Sequence, residues 1–501
     1  MTVKKNTIAN YAGQGWNALM AVIFIPLYIE YLGIEAYGLI GFFLLMQTLI
    51  FIFDMGISAT INREMARYTS GKKTPKSIVD LLRSFELIIT FVAFLLGVII
   101  WSISDWIALY WFSTKEIPLI TIVQVVKISS LVLGLRLIET VYRSAIIGLQ
   151  KQVWLNQFIA VTATLRYGGV VVVLAFVDRS LEAFFLWNLL ISVISVAILL
   201  KTTHNFLPMM TNSARFSYLE LKKVMAFSGG MLAITVISLV LMQIDKIILS
   251  KMVPLAEFGV YVFSFTLASS LYTFVSPVVQ AIYPRLVELI AVNNTRDLIQ
   301  LYHNSAQLVS VITAPFFSVM VCFSYGIVFS WSGDSSLAKE AENIVIYIAI
   351  GTYLNCLMWV PYRTQLAFGW TSLTLWSNLM LVVLVVPAMF ILVPIYGSIV
   401  AAKIWAIINL VYVLVLISFM HAKILKNEKA KWYIYDVIIP SSLSVSCVFF
   451  IKTSLSTVNY ERMDWLILIV MSLILSGLIS SISLKAIRGN IIKLYKANLV
   501  K

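Results

Sequence analysis

The chain has 501 residues, of which 60% are hydrophobic and only 12% charged, and its mean hydropathy is +0.94. These values exclude an ordinary soluble domain, in which about a quarter of residues are charged. The formal net charge of +14 raises the idea of a nucleic-acid partner, but the basic residues sit in the connections between apolar runs, where they report membrane topology instead.

Those runs are long enough to cross a roughly 30 Å hydrocarbon core as helices, and no alternating barrel-type strands interrupt them. They predict an all-α polytopic membrane protein with about fourteen transmembrane helices. The spans are approximately 10–32, 38–61, 81–103, 117–140, 153–177, 182–200, 225–250, 257–281, 304–331, 342–367, 372–393, 398–420, 434–453 and 464–484. The opening MTVKK precedes an apolar stretch with no convincing cleavage site, so it reads as the start of an uncleaved first helix.

Basic residues concentrate in alternate connections. Lys4 and Lys5, the group from Arg63 to Arg83, Arg143, Lys151, Lys201, Arg215, Lys222, Lys223, Arg363, the cluster Lys423 to Lys431 and the tail from Lys485 to Lys501 share one side. By the positive-inside rule that side, with both termini, is cytoplasmic, and the basic excess is a topology signal. Trp101, Trp106, Tyr110 and Trp111 suit an outer aromatic belt.

A shift of about 221 residues places IEAYGLIGFFLLMQTL (34–49) on LAEFGVYVFSFTLASSL (255–271), and nearly the same shift places VYRSAIIGLQKQVWLNQ (141–157) on PYRTQLAFGWTSLTLWSN (361–378). The repeat unit holds an even number of helices, so the two copies share one orientation. The expected organisation is an N-terminal six-helix half (1–200), a cytoplasmic linker (201–224), a C-terminal six-helix half (225–421) and two additional helices with a basic tail (422–501). Transporters of this kind bind substrate near the midplane between the halves and rock to expose it alternately. Pro26, Pro277, Pro315, Pro361 and Pro387 mark places where such helices bend, with or without a role in gating.

Charges within the apolar runs are the candidate site residues, because a charge at the bilayer centre costs about 2.5–3.5 kcal/mol on insertion scales. They are Asp54, Lys127, Arg136, Glu139, Arg166, Asp245, Lys246 and Lys403. Their repeat partners mostly lack charge, so the architecture does not require them: Lys127 falls opposite Ile348, Arg166 opposite Pro387 and Asp54 opposite Val275. Lys127 and Arg166 read as mid-helix residues facing either a cavity or a partner. Arg136 and Glu139 stand at a spacing that allows an ion pair, and Lys403 is near enough to the outer surface to snorkel. Asp54 and Asp245 are each either a proton carrier or a structural hydrogen-bond acceptor. Cations outnumber carboxylates in this set, favouring an anionic substrate.

With PLYIEYLGIEAYGLIG (26–41), DMGISATINREMA (54–66), YRSAIIGLQK (142–151) and DKIILSKMVPLAEFGVY (245–261) in hand, the chain resembles the Wzx-type polysaccharide flippases. Their superfamily also includes multidrug exporters and the lipid II flippase. The resemblance implies movement of an undecaprenyl-diphosphate-linked oligosaccharide, an O-antigen or similar repeat unit, from the inner to the outer leaflet of the bacterial inner membrane. On that reading Lys127, Arg166, Lys246, Lys403 and Arg136 are the cavity cations, Asp54, Asp245 and Glu139 the candidates for ion coupling, and membrane lipids and other polysaccharide-assembly proteins the partners. The Asp245–Lys246 pair, close to the outer boundary, fits release or gating better than first capture. Ser250, where the pattern often has Gly, is a departure.

The alternative is a cation-coupled multidrug exporter of the same superfamily, which the cationic bias disfavours. An enzyme would need an extramembrane loop with acid, base or nucleophile. Here His204, His303 and His421 are scattered, and Cys322, Cys356 and Cys447 lie in apolar runs without zinc or disulfide spacing. No enzyme activity, cofactor or metal is expected.

Overall fold

The computed structural model describes residues 2–54, 56–69, 71, 73–207, 215–218, 221–222, 242–370, 372–455 and 460–484. The linker and seventh helix expected over 201–250 therefore lie largely outside the described residues, as does the basic tail from Lys485. Among the described residues the regular structure is all helical, and twelve helices are long and apolar enough to cross a membrane. They form two compact units, Met1–Gly259 and Val260–Lys501.

In the first unit, α1 (Thr2–Ile23) and α2 (Ile25–Leu32) are separated at Phe24, where Pro26 occupies the first turn of α2. Proline lacks the N–H that would continue the ladder, so the chain restarts there. The single helix expected over 38–61 is divided: α3 (Ile34–Ile50) ends in a tight turn, and α4 (Ile57–Thr69) begins after it. Gly56 takes a left-handed φ of 70°, which suits a residue without Cβ. The Asp54 carboxylate accepts the backbone N–H of Ser58 at 3.2 Å. The D-x-G pattern is thus a helix break with its own cap.

The remaining helices of this unit are α5 (Pro75–Ser102), α6 (Ser104–Tyr110), α7 (Leu119–Gly148), α8 (Gln152–Phe176), α9 (Leu181–Phe206) and α10 (242–252). Thr74, whose side chain accepts the N–H of Ser77, and Pro75 start α5 several residues earlier than its apolar run suggests. Likewise α7 runs on to Gly148, past the charged residues Glu139 and Arg143. Its apolar face, with Leu137, Val141 and Ala145, packs against Ile61 and Met65 of α4 and Leu82, Phe85 and Ile89 of α5.

At one end of this unit the buried Glu35 carboxylate accepts the backbone N–H groups of Lys115 (2.7 Å) and Glu116 (2.8 Å). The same loop is tied by Trp111 Nε1 to Ser250 Oγ at 3.2 Å and by the Leu255 N–H to the Ser113 carbonyl at 2.9 Å. Here the first turn of α11 (Leu255–Ser269) meets α3. A Cβ on Gly38 would lie 2.2 Å from the Leu255 carbonyl oxygen, and one on Gly259 would lie 2.4 Å from that of Ile34. Gly38 and Gly259 are the residues that the internal repeat aligns, so the sequence match coincides with a close backbone approach.

In the second unit, α12 (Leu271–Ala291), α13 (Thr295–Cys322), α14 (Ser324–Ser332), α15 (Ser335–Ala367), α16 (Ser372–Tyr396), α17 (Ile399–Lys423), α18 (Lys429–Ser454) and α19 (Arg462–Ser481) follow. Pro277, Pro315, Pro361 and Pro387 lie inside α12, α13, α15 and α16. Small polar residues line the buried contacts: Ser318 Oγ donates to Ser444 Oγ at 3.0 Å, and Ser480 Oγ to the Val311 carbonyl at 3.4 Å. Such residues allow close helix approach where the alternative to packing is lipid. By contrast, α16 presents Trp376, Met380, Val383 and Ile391 outward, an apolar surface stable only in hydrocarbon.

Replacing Gly38 or Gly259 with Val is expected to destabilise the protein by about 2 kcal/mol or more, since the obstructing atoms are backbone. Gly15→Ala, where nothing lies within 4 Å, is expected to leave stability unchanged or slightly raised. Thermal melts of the purified proteins in detergent read both.

Candidate functional site

Most of the candidate charges in the first unit prove to be paired. Arg136 Nη1 lies 3.2 Å from Glu139 Oε2, forming the i, i+3 bond that the spacing allows, and Arg143 Nη2 approaches the same oxygen at 3.5 Å. The other oxygen, Glu139 Oε1, is buried without a hydrogen-bond partner among the described residues. Close by in sequence, Thr140 Oγ1 donates to Asp54 Oδ1 at 3.2 Å, and Ser58 Oγ donates to it at 2.8 Å. Asp54 therefore ties the start of α4 to α7, and hydrogen bonds satisfy its carboxylate.

Lys127 is not at mid-helix. Because α7 extends from Leu119 to Gly148, Lys127 stands about 12 Å along it from the Leu119 end. Its Nζ lies 5.8 Å from the Trp101 ring, a cation–π arrangement beside the aromatic belt. Lys246 is buried, with Nζ 3.3 Å from Asp245 Oδ2, so the two adjacent charges partly neutralise each other. Lys403, in the second unit, is exposed, with Nζ 5.3 Å over the Tyr347 ring. The geometry thus joins Arg136, Glu139 and Asp54 along α7, and leaves Lys127, Lys246 and Lys403 in separate local settings.

Arg166 is the exception. It is only 4% exposed, and neither Nη1 nor Nη2 has a hydrogen-bond partner among the described residues. It occupies a π-helical turn over Thr164–Gly168 in the middle of α8, a geometry that often marks functional positions. Side chains from three helices hold that turn. Trp16 Nε1 donates to Thr164 Oγ1 at 2.9 Å, Tyr28 Oη to the Tyr167 carbonyl at 2.7 Å, and Trp187 Nε1 to the Leu165 carbonyl at 2.8 Å. A guanidinium held this way has little freedom to reach water.

Two further carboxylate centres stand outside the candidate set: Glu64, beyond the end of the span 38–61, and Glu86, near the start of the span 81–103. The fully buried Glu64 takes Arg63 Nη2 at 2.8 Å, Lys73 Nζ at 3.1 Å and Arg67 Nη1 at 3.2 Å. Burial pushes its carboxyl upward, but these cations outweigh that effect and hold it below the usual range. Buried Glu86 takes His204 Nε2 at 2.9 Å and Arg83 Nη1 at 3.3 Å. Both carry a signal in the sequence: NREMAR (62–67) flanks a carboxylate at i−1 and i+3 by arginine, and Arg83 stands three residues before Glu86.

Twelve membrane-length helices among the described residues define a polytopic integral membrane protein. Residues 31–335 match the model of the family described as polysaccharide biosynthesis protein, and the chain belongs to that family. A protein of Shigella flexneri named "Putative O-antigen transporter" is 21% identical over 411 residues, covering 81% of this chain and 95% of its own. The lipid II flippase MurJ in an inward closed conformation shares the fold, with a TM-score of 0.67 at 13% identity over 99% of both chains. An inward-facing multidrug resistance MATE family transporter of the MOP superfamily does so with a TM-score of 0.64 at 10% identity, over 81% of this chain and 96% of its own. The resemblance to Wzx-type flippases carried by the motifs is matched by family and by fold.

Glu64→Gln is expected to cost about 1–3 kcal/mol, since it removes charge-assisted bonds while leaving half-exposed arginines that water can solvate. The wild-type contribution should be fully present above the ordinary carboxylate range and be lost as pH falls through the lowered value in the folded protein. Melting temperature against pH, with the variant lacking that acidic dependence, checks both.

Proposed function

We propose that this protein is a flippase that carries an undecaprenyl-diphosphate-linked oligosaccharide, such as an O-antigen repeat unit, from the inner to the outer leaflet of the bacterial inner membrane by alternating access. Membership of a polysaccharide biosynthesis family and similarity to a Shigella flexneri protein named as an O-antigen transporter support the substrate class. The relatives are transporters rather than enzymes, in keeping with a chain that acts by binding and moving its substrate. The internal repeat supports a cycle built on two related halves.

Arg166 is the observation that carries the reading. A buried charge without a partner costs several kcal/mol, and a planar guanidinium is the side chain best suited to grip two phosphate oxygens at once. Its repeat counterpart is Pro387, so packing symmetry does not call for it. Arg166 therefore serves as the principal headgroup contact. Lys127 and Lys246 are secondary cations, Lys127 at the belt and Lys246 tempered by Asp245. Arg136 is committed to Glu139 and adjusts the local charge, while Lys403 contributes at the surface. The polyprenyl tail stays in lipid, with both chain termini on the cytoplasmic side. Among the carboxylates, Glu139, with one oxygen unbonded, is a better candidate for ion coupling than Asp54, whose bonds cap a helix, or Asp245.

Deleting the gene should cause lipid-linked oligosaccharide to accumulate unpolymerised on the inner leaflet. Complementation with Arg166→Ala at matched membrane levels is expected to give at least about ten-fold less surface glycan, with Arg166→Lys partly restoring it. Lys127→Ala and Lys246→Ala should give smaller losses. Wild-type glycan from all three alanine variants would overturn the assignment.

A further inference from the structure

The turn between α17 and α18 gathers charge of one sign. From His421 to Asp436 the chain carries Lys423, Lys426, Lys429 and Lys431 against two carboxylates, Glu428 and Asp436. Both carboxylates are engaged within the protein. Glu428 Oε2 lies 2.7 Å from His303 Nε2 of α13 and 2.9 Å from Lys431 Nζ, and the buried Asp436 bonds the other nitrogen of that imidazole. Lys423, Lys426 and Lys429 are exposed. Lys423 Nζ lies 4.0 Å from the centre of the Trp370 ring, a cation–π contact that holds its charge at this end of the unit.

Among these lysines the ends of α17 and α18 part around a cavity of about 550 Å³. Its lining includes Ser418 and His421 of α17, Asn427 of the turn, and Lys429, Ala430 and Tyr433 of α18. The volume falls in the range of small-molecule sites. His421 serves as wall, since its Nε2 lies 3.1 Å from the Tyr302 hydroxyl and its Nδ1 2.9 Å from the Ile417 carbonyl. Asn427, at a left-handed φ of 69°, and Lys429 are the exposed polar groups of the lining. Tyr433 Oη joins the two helices by donating to the Val413 carbonyl at 2.5 Å. Both partners of that bond lie in π-helical stretches, Tyr412–Leu416 and Trp432–Ile438, a backbone form that recurs at functional positions.

The apolar span of α17 ends at Lys423 and that of α18 begins at Lys429, so the cavity sits where both helices leave the hydrocarbon. Within those spans Leu414, Val415 and Phe419 on α17 and Ile434, Tyr435 and Ile438 on α18 are exposed, a surface that calls for hydrocarbon. Two chemistries therefore adjoin: cations and an amide at headgroup depth, and apolar side chains beside them in the membrane. An anionic phospholipid has the same two parts in the same order. Lysine is a point donor for phosphate oxygens, and basic side chains next to a membrane attract anionic headgroups. A zwitterionic headgroup brings its own cation towards the lysines, which offsets the attraction of its phosphate.

We propose that the cleft between the ends of α17 and α18 binds one anionic diacyl phospholipid of the bilayer. Lys429 and Asn427 hold its phosphate, Lys423 and Lys426 stand at the rim, and its acyl chains lie along the exposed apolar side chains of the two helices. The site belongs wholly to the second unit and does not depend on the substrate assignment.

The test uses the purified full chain and native mass spectrometry, with phosphatidylglycerol or phosphatidylethanolamine of the same acyl chains added singly. A photoactivatable phosphatidylglycerol maps the contact. One phosphatidylglycerol is expected to bind at least ten-fold more tightly than phosphatidylethanolamine, with crosslinks falling in residues 414–438. Lys429→Gln should weaken that binding about five-fold. Ala430→Trp removes no charge but fills the cavity from an exposed position, and it should weaken binding at least ten-fold. Wild-type binding by Ala430→Trp would show diffuse attraction to surface lysines and overturn the site. Equal affinity for the two lipids, crosslinks elsewhere, or displacement of the crosslinked lipid by an equal concentration of undecaprenyl diphosphate would overturn it as well. The wild-type lipid preference and crosslink map decide even if a variant fails to fold.

Discussion

A charge withdrawn from water must be met by an opposite charge or by a full set of hydrogen bonds, and this requirement organises both units. Glu35 joins a loop to α3 through two backbone N–H groups, Glu64 gathers three cations, and Asp54 welds α4 to α7. His303 does the same between α13 and α18. Hydrophobic contact alone positions helices weakly in a bilayer, because lipid tails are as apolar as leucine. Polar bonds and close backbone contacts therefore decide which helix lies against which.

Against this background Arg166 stands apart. Its neighbours spend their hydrogen-bonding groups on shaping the π-helical turn and leave the guanidinium itself unmatched. On the proposed function, an anionic headgroup would supply the missing partner. In a transporter such an incomplete site is useful, since a cation already neutralised by the protein would hold a phosphate weakly, and one exposed to water would have no reason to prefer it. The paired charges set the frame in which that one charge acts.

Much of the fold was legible in the sequence because hydropathy reports membrane-length segments directly. The errors fall where a polar residue ends or extends a helix. Hydropathy carries the DMG stretch as helix interior, whereas Gly56 and the cap from Asp54 make it a break. The end of α7 was placed too early, since Glu139 and Arg143 look like a boundary until their mutual bonding is seen. That misplacement put Lys127 at mid-helix. The histidines carried no local motif, because the partners of His303 lie more than a hundred residues away.

The amino-acid sequence by itself determined that this is a polytopic helical membrane protein, located most of its spans, revealed its internal repeat and carried its family motifs. Each of these follows from composition and order along the chain. Tertiary structure alone decided which of the described intramembrane charges are paired and which are not. The physical reason is that pairing is settled within about 3 Å, between side chains on different helices. Hydropathy counts a matched and an unmatched arginine alike.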